Sequence, residues 1–397
     1  KASLTRVCRA WNWMGQEVLY EDVWITKGRD ARALAGRLLT RVISRRPSVD
    51  HSSSSPSNAG RYIRRLHVET LSMEKCSPHD LLLILQYAPN LEVYEDYKSV
   101  RRPMHPLALS VSPVVPFSLA GAGLSSTSTS SVVEGGIEFF EDVVGPRLAG
   151  VAGSRLEYLE GRFVGLSIGN SDSSSSIDGF AYTLSLPALL SLKVTLDDAT
   201  FSVLSTWDMP TLTHLSVLSA DFGYAGGGFR RFFEVHGEKI GQLELGHSSG
   251  DIEEAWLTAP PHPTNAPPRI PLNAWCPNLK EFICSADAEW NWQAPDWIAP
   301  HVLLPAHEGL VFIGVRGMER RLRGDGEEAD DTYFMLLEQF GSLLRREAFP
   351  NLRRVRDMSW ESDDAESRLH GARVRSFWRK VVSRCEEREV MLEDWRG

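Results

Sequence analysis

The chain has 397 residues, with 43 Lys and Arg against 52 Asp and Glu, a formal net charge of −9, and 42% hydrophobic and 24% charged residues. This is the composition of a soluble protein able to bury a large core. No apolar run reaches the roughly 18–20 residues that span a bilayer, no signal-peptide pattern opens the chain, and the acidic balance argues against nucleic acid as a partner. Five Cys (Cys8, Cys76, Cys276, Cys284, Cys385) with no C-x-x-C pair point to a reducing compartment, cytoplasmic or nuclear. The charge is uneven. Residues 1–67 hold 13 basic and 5 acidic residues, 68–315 hold 13 and 29, and 316–397 hold 17 and 18. The acidic middle reads either as a solvated surface or as one that grips a basic partner.

In chain order, Leu4–Tyr20 places Leu4, Val7, Cys8, Trp11, Met14 and Val18 at steps of three and four, which predicts a helix with one apolar face. Glu21–Thr26 reads as a short strand and Asp30–Arg46 as a basic amphipathic helix. His51–Gly60, Pro103–Ser131 and Asn170–Ser176 are Ser- or Pro-rich and read as loops. Ala259–Pro271, with six prolines, is a further break.

Between the breaks a pattern recurs, apolar-x-x-apolar-x-apolar, often behind a proline. Ile63/Leu66/Val68, Leu189/Leu192/Val194, Leu212/Leu215/Val217, Ile240/Leu243/Leu245, Leu279/Phe282/Cys284 and Leu310/Ile313/Val315 match in full. Leu91/Tyr94, Leu156/Leu159 and Leu352/Val355 match in two positions. Residues two apart on a strand share a face, so the second and third apolar positions enter one core. Helical returns are read at Pro78–Ala88 and Phe229–Ile240. The expected fold is α/β: an irregular leucine-rich-repeat solenoid with a curved parallel sheet and helices outside, over residues 27–362. An α/β globular domain is the rival reading. Residues 1–26 form a helical module before it, and 363–397 a helix and capping strand.

Motifs for chemistry are few. His307-Glu308 lacks the second His of H-E-x-x-H. Cys276 and Cys284 have the wrong spacing for zinc and read as core. Asp325–Asp331 lacks the order of a calcium loop, and Gly226–Gly228 lacks the Lys of a phosphate loop. No catalytic residue, metal or cofactor is indicated. The outward strand positions instead supply candidate partner-binding residues: Lys193, His214, Glu244, Glu281, Arg316 and Arg354. Trp290 and Trp292 join them as a pair sharing a face in extended backbone, although Trp equally fills a core.

Two stretches carry a resemblance. Val7-Cys8-Arg9-Ala10-Trp11, then Leu19-Tyr20-Glu21-Asp22-Val23 entering a strand, resembles the distal part of an F-box, fungal F-box proteins in particular. Phe349-Pro350-Asn351-Leu352-Arg353-Arg354-Val355, Phe377-Trp378, Cys385-Glu386 and Glu393-Asp394-Trp395 are similar to the end of the same group. The Leu-Pro start of an F-box is absent, and with Lys1 in place of a Met this reads as a truncation. The resemblance implies a substrate-recognition subunit of an SCF-type cullin ubiquitin ligase. In that role Val7, Cys8 and Trp11 would face a Skp-type adaptor, and the repeat surface would hold a target protein. A repeat scaffold that binds a protein partner without a ligase is the alternative.

Overall fold

In a computed structural model, the structure describes residues 9–43, 59–70, 75–96, 144–163, 184–196, 198–218, 228–246, 272–285, 306–316, 322, 333–334, 336–337, 340–341, 343–358 and 372–393. A short turn precedes strand after strand. The first apolar residue of most repeats donates its N–H to the carbonyl three residues earlier, as in Ile63 to Gly60 (3.0 Å), Ile240 to Gly237 (3.0 Å), Leu279 to Cys276 (3.1 Å) and Leu352 to Phe349 (3.2 Å). The next carbonyl along then accepts from two consecutive N–H groups of the following repeat. Arg64 accepts from Glu92 and Val93, Thr213 from Gly241 and Gln242, and Lys280 from Val311 and Phe312. These bonds hold consecutive strands in parallel register and account for backbone groups that a strand start would otherwise leave unpaired.

The side chain before the first apolar residue adds a third link. Asn90 donates to the Arg61 carbonyl (2.7 Å), Asn278 to Glu238 (2.8 Å), Asn351 to Glu308 (2.8 Å), and Thr211 to Pro187 (2.9 Å). Each donor follows a proline, and each acceptor sits two residues before the first apolar position of the repeat before it.

The chain divides into two compact units, Lys1–Leu186 and Pro187–Gly397. Unit 1 holds β1 (Asp22–Ile25), β2 (Arg65–Val68), β3 (Val93–Asp96) and β4 (Tyr158–Phe163). They are parallel and ordered as in the chain. Its helices are α1 (Arg9–Tyr20), α2 (Gly28–Ile43), α3 (Pro78–Gln86) and α4 (Gly145–Ala152). Helix α3 shows why these segments are helical. Pro78 opens it, Asp80 sits in the first turn, and Leu81, Ile84 and Leu85 bury one stripe. Helix α2 packs on α3, and α3 on α4.

Unit 2 holds β5 (Ser191–Leu196), β6 (His214–Leu218), β7 (Gln242–Gly246), β8 (Glu281–Ser285), β9 (Phe312–Arg316), β10 (Arg354–Asp357) and β11 (Met391–Glu393), again parallel and in chain order. Between them lie α5 (Asp198–Leu204), α6 (Gly228–His236) and α7 (Ala372–Arg388). The second apolar position of each repeat forms one row across the sheet, Leu192, Leu215, Leu243, Phe282, Ile313 and Val355, all buried. Phe377, Val381 and Cys385 bury the matching stripe of α7. Arg388 fastens this helix by donating to the Leu344 (2.8 Å) and Phe349 (2.9 Å) carbonyls.

Two sequence expectations change. His51–Gly60 reads as loop, yet Ala59–Tyr62 forms a 3-10 turn with Ala59 and Gly60 buried, because the turn supports β2. The helix read over Phe229–Ile240 runs Gly228–His236 and tightens to a 3-10 turn at Gly237–Lys239. Ile283 and Phe312 occupy outward strand positions but are buried. Met358 lies over Gly314 beside Ile283, and the Arg354 and Arg356 guanidiniums cover the Phe312 ring. The breaks at 103–131, 170–176 and 259–271 and the acidic stretch at 325–331 lie outside the described residues. Among the described residues no helix is long and apolar enough to cross a membrane.

Candidate functional site

Strand alternation sends one set of side chains into the core and leaves the other on the opposite face, here called outward. In unit 1 the register aligns Trp24, His67, Glu95 and Glu160 in one outward row, and Asp22, Arg65, Val93 and Tyr158 in the next. Residues distant in sequence thus become neighbours.

His67 is the hub. Its Nδ1 lies 2.6 Å from Glu95 Oε2, and its Nε2 lies 3.4 Å from Asp22 Oδ1. The Trp24 indole stacks on its ring, with centroids 4.2 Å apart and planes at 13°. Tyr158 donates its hydroxyl to Glu160 Oε2 at 2.6 Å. His67 and Glu160 are buried, whereas Trp24 is 57% exposed.

Unit 2 carries two outward rows. One runs Ser191, His214, Gln242, Glu281, Phe312, Arg354 and Met391, so the candidates His214, Glu281 and Arg354 share it. The other runs Lys193, Ser216, Glu244, Ile283, Gly314, Arg356 and Glu393 and includes Lys193 and Glu244. Glu244 is buried and accepts from Ser216 Oγ at 2.7 Å. His214 is exposed, with Nδ1 2.8 Å from Thr213 Oγ1. Arg356 donates through Nε (2.8 Å) and Nη2 (2.6 Å) to Glu393 Oε2, and Arg354 Nη1 stands 3.8 Å from Oε1.

Arg316 ends β9 and Trp11 lies on α1, but their side chains fall outside the described residues. Val7, Cys8, Trp290 and Trp292 lie wholly outside them. Sequence reasoning missed Asp22, Trp24, Glu95, Tyr158 and Glu160 as a group. Period-two alternation in Asp22-Val23-Trp24-Ile25 was a usable signal for the first two. The other three needed the inter-strand register.

Three cysteine thiols belong to the core. Burial pushes the Cys76 and Cys276 thiols up to about 12 and that of Cys385 to about 11, so these act as small apolar side chains rather than nucleophiles. His307 bridges two repeats. Its Nδ1 accepts from the Gly309 N–H (3.1 Å), which leaves Nε2 to donate to the Cys276 carbonyl (3.0 Å). Among the described residues no set of three His, Cys, Asp or Glu side chains is arranged to hold a metal ion.

Fold and surface together define a repeat-like parallel α/β protein. No family model matches the chain, and no curated protein matches it. Among solved structures it is similar to the crystal structure of a Bacteroides fragilis protein from the Northeast Structural Genomics Consortium, at 11% identity and a TM-score of 0.34. The likeness covers 85% of this chain and 66% of that one, and a likeness of this size carries no argument.

Proposed function

We propose that the chain is a non-enzymatic recognition subunit that holds a target protein on the outward sheet face, and that it serves an SCF-type cullin ubiquitin ligase. The observation that carries partner binding is the row of Trp24, His67, Glu95 and Glu160. Four strands set these side chains side by side on one face, in the way repeat proteins build extended binding surfaces. The ligase assignment rests on the F-box-like Val7-Cys8-Arg9-Ala10-Trp11, whose helix would face a Skp-type adaptor.

A second reading has its own observation. Helix α1 packs against the 3-10 turn at Ala59–Tyr62 and against β1, as a cap on the first repeat does. A capped repeat scaffold would bind its partner with no ligase. Affinity capture of the full-length protein separates the two. The ligase reading expects adaptor and cullin among the captured proteins and a loss of about tenfold or more with Trp11→Ala. Capture of a partner with neither adaptor nor cullin overturns it in favour of the scaffold.

A further inference from the structure

We propose that the outward face of unit 1 docks an arginine-bearing basic segment of the partner protein, with the Trp24 indole as the shelf on which the guanidinium stacks. This rests on the reading of the sheet face as a partner surface and adds the chemistry of what binds there.

Trp24 is a large apolar side chain left 57% exposed on a sheet face. It is nonetheless held in place. One face of the indole is covered by the His67 ring at 4.2 Å. That ring is in turn held by Glu95 on one nitrogen at 2.6 Å, and Asp22 Oδ1 stands 3.4 Å from the other. A shelf locked in this way loses little rotamer freedom when a ligand settles on its open side. Trp is the strongest cation–π acceptor among the side chains.

The charge around the shelf sets the sign of the ligand. Asp22, Glu95 and Glu160 occupy the two outward rows with Arg65 as the single arginine. Glu95 and Glu160 accept from His67 and Tyr158, and a carboxylate has acceptor sites for more than one donor. An apolar anchor here would bury carboxylates against hydrocarbon, and a phosphate backbone would meet like charge. A guanidinium does both things the site offers: it stacks flat on an indole and forks to a carboxylate, which an ammonium cannot do.

The test is fluorescence polarisation of the intact protein with a labelled peptide carrying Arg at alternate positions in a Gly-Ser background. Matched peptides carry Lys, or the uncharged isostere citrulline. The expected order is Arg tighter than Lys, with citrulline negligible, and binding that weakens as salt rises. Trp24→Ala should lose roughly tenfold or more and Trp24→Phe should recover part of it, with thermal melts confirming that both variants fold. No Arg-peptide binding up to about 1 mM, equal binding of citrulline, or full binding by Trp24→Ala overturns the proposal. Failure of adaptor capture with Arg-peptide binding intact would instead sink only the ligase assignment.

Discussion

His236 closes α6 with 2% of its surface exposed. Lys239 Nζ donates both to its Nδ1 and to the Met209 carbonyl, each at 2.8 Å, so the histidine is held neutral. Burial above all, and then the Lys239 charge, push its pKa down to about 4, against a smaller opposing pull from the Leu204 carbonyl, Asp208 and the Ser205 carbonyl. The folded value lies below the unfolded value of about 6.5, so the unfolded chain takes up the proton first as pH falls. The stability this group contributes is present above about pH 6.5 and is lost progressively down to about pH 4, on the order of 3 kcal/mol in total. Urea unfolding from pH 7.5 to 4.5 should therefore show a steeper acid loss for the wild type than for His236→Phe, which keeps a ring beside Phe232. Parallel curves would mean that the histidine is not buried in its neutral form.

At the scale of the element, the inter-repeat turn is the tightest feature. A Cβ on Gly60 would meet the Tyr87 carbonyl oxygen at 1.9 Å, and one on Gly237 would meet that of Trp275 at 2.4 Å. Both glycines sit three residues before the first apolar position, and both abut the backbone of the next repeat. A backbone obstacle cannot swing aside as a side-chain tip can. Gly237→Ala should destabilise by about 2–4 kcal/mol. Gly36, within α2, has open space where its Cβ would stand, so the same change there should stabilise by about 0.5–1 kcal/mol. Chemical denaturation of the two variants checks the opposite signs.

The Pro-Asn-Leu and Pro-Thr-Leu steps belong to the same turn. The proline behind the pattern is legible in the sequence, since it stops a helix and starts an extended segment. The role of the residue after it is not. That Asn278 reaches back to Glu238 depends on one repeat stacking on another, and such a link contributes about 1 kcal/mol.

For the whole molecule, a repeat-like parallel sheet divides stability among neighbours instead of pooling it. Phe282 is buried at the centre of unit 2, in register with Leu243 and Ile313. Phe282→Ala should cost about 3–5 kcal/mol, felt first by the strands that touch it. Hydrogen exchange should show early loss of protection in β7, β8 and β9, while β2 and β3 amides in unit 1 keep theirs. Uniform loss across both units would mean that the chain unfolds as a single cooperative body.

The amino-acid sequence by itself determined the strand positions, the core row from Leu192 to Val355 and the α/β class. Those follow from a local period that every apolar side chain must obey to leave water. It also placed Lys193, His214, Glu244, Glu281 and Arg354 on outward strand positions. Only the tertiary structure decided which outward residues meet. His67 finds Glu95 and Trp24 through register between strands some 28 and 43 residues away in the chain, and nothing local encodes that pairing. Only the tertiary structure decided, too, that Phe312 and Ile283 are covered on the outward face, because the cover comes from Arg354, Arg356 and Met358 of a later repeat. Period assigns a side chain to a face; register and neighbouring repeats determine what it touches there.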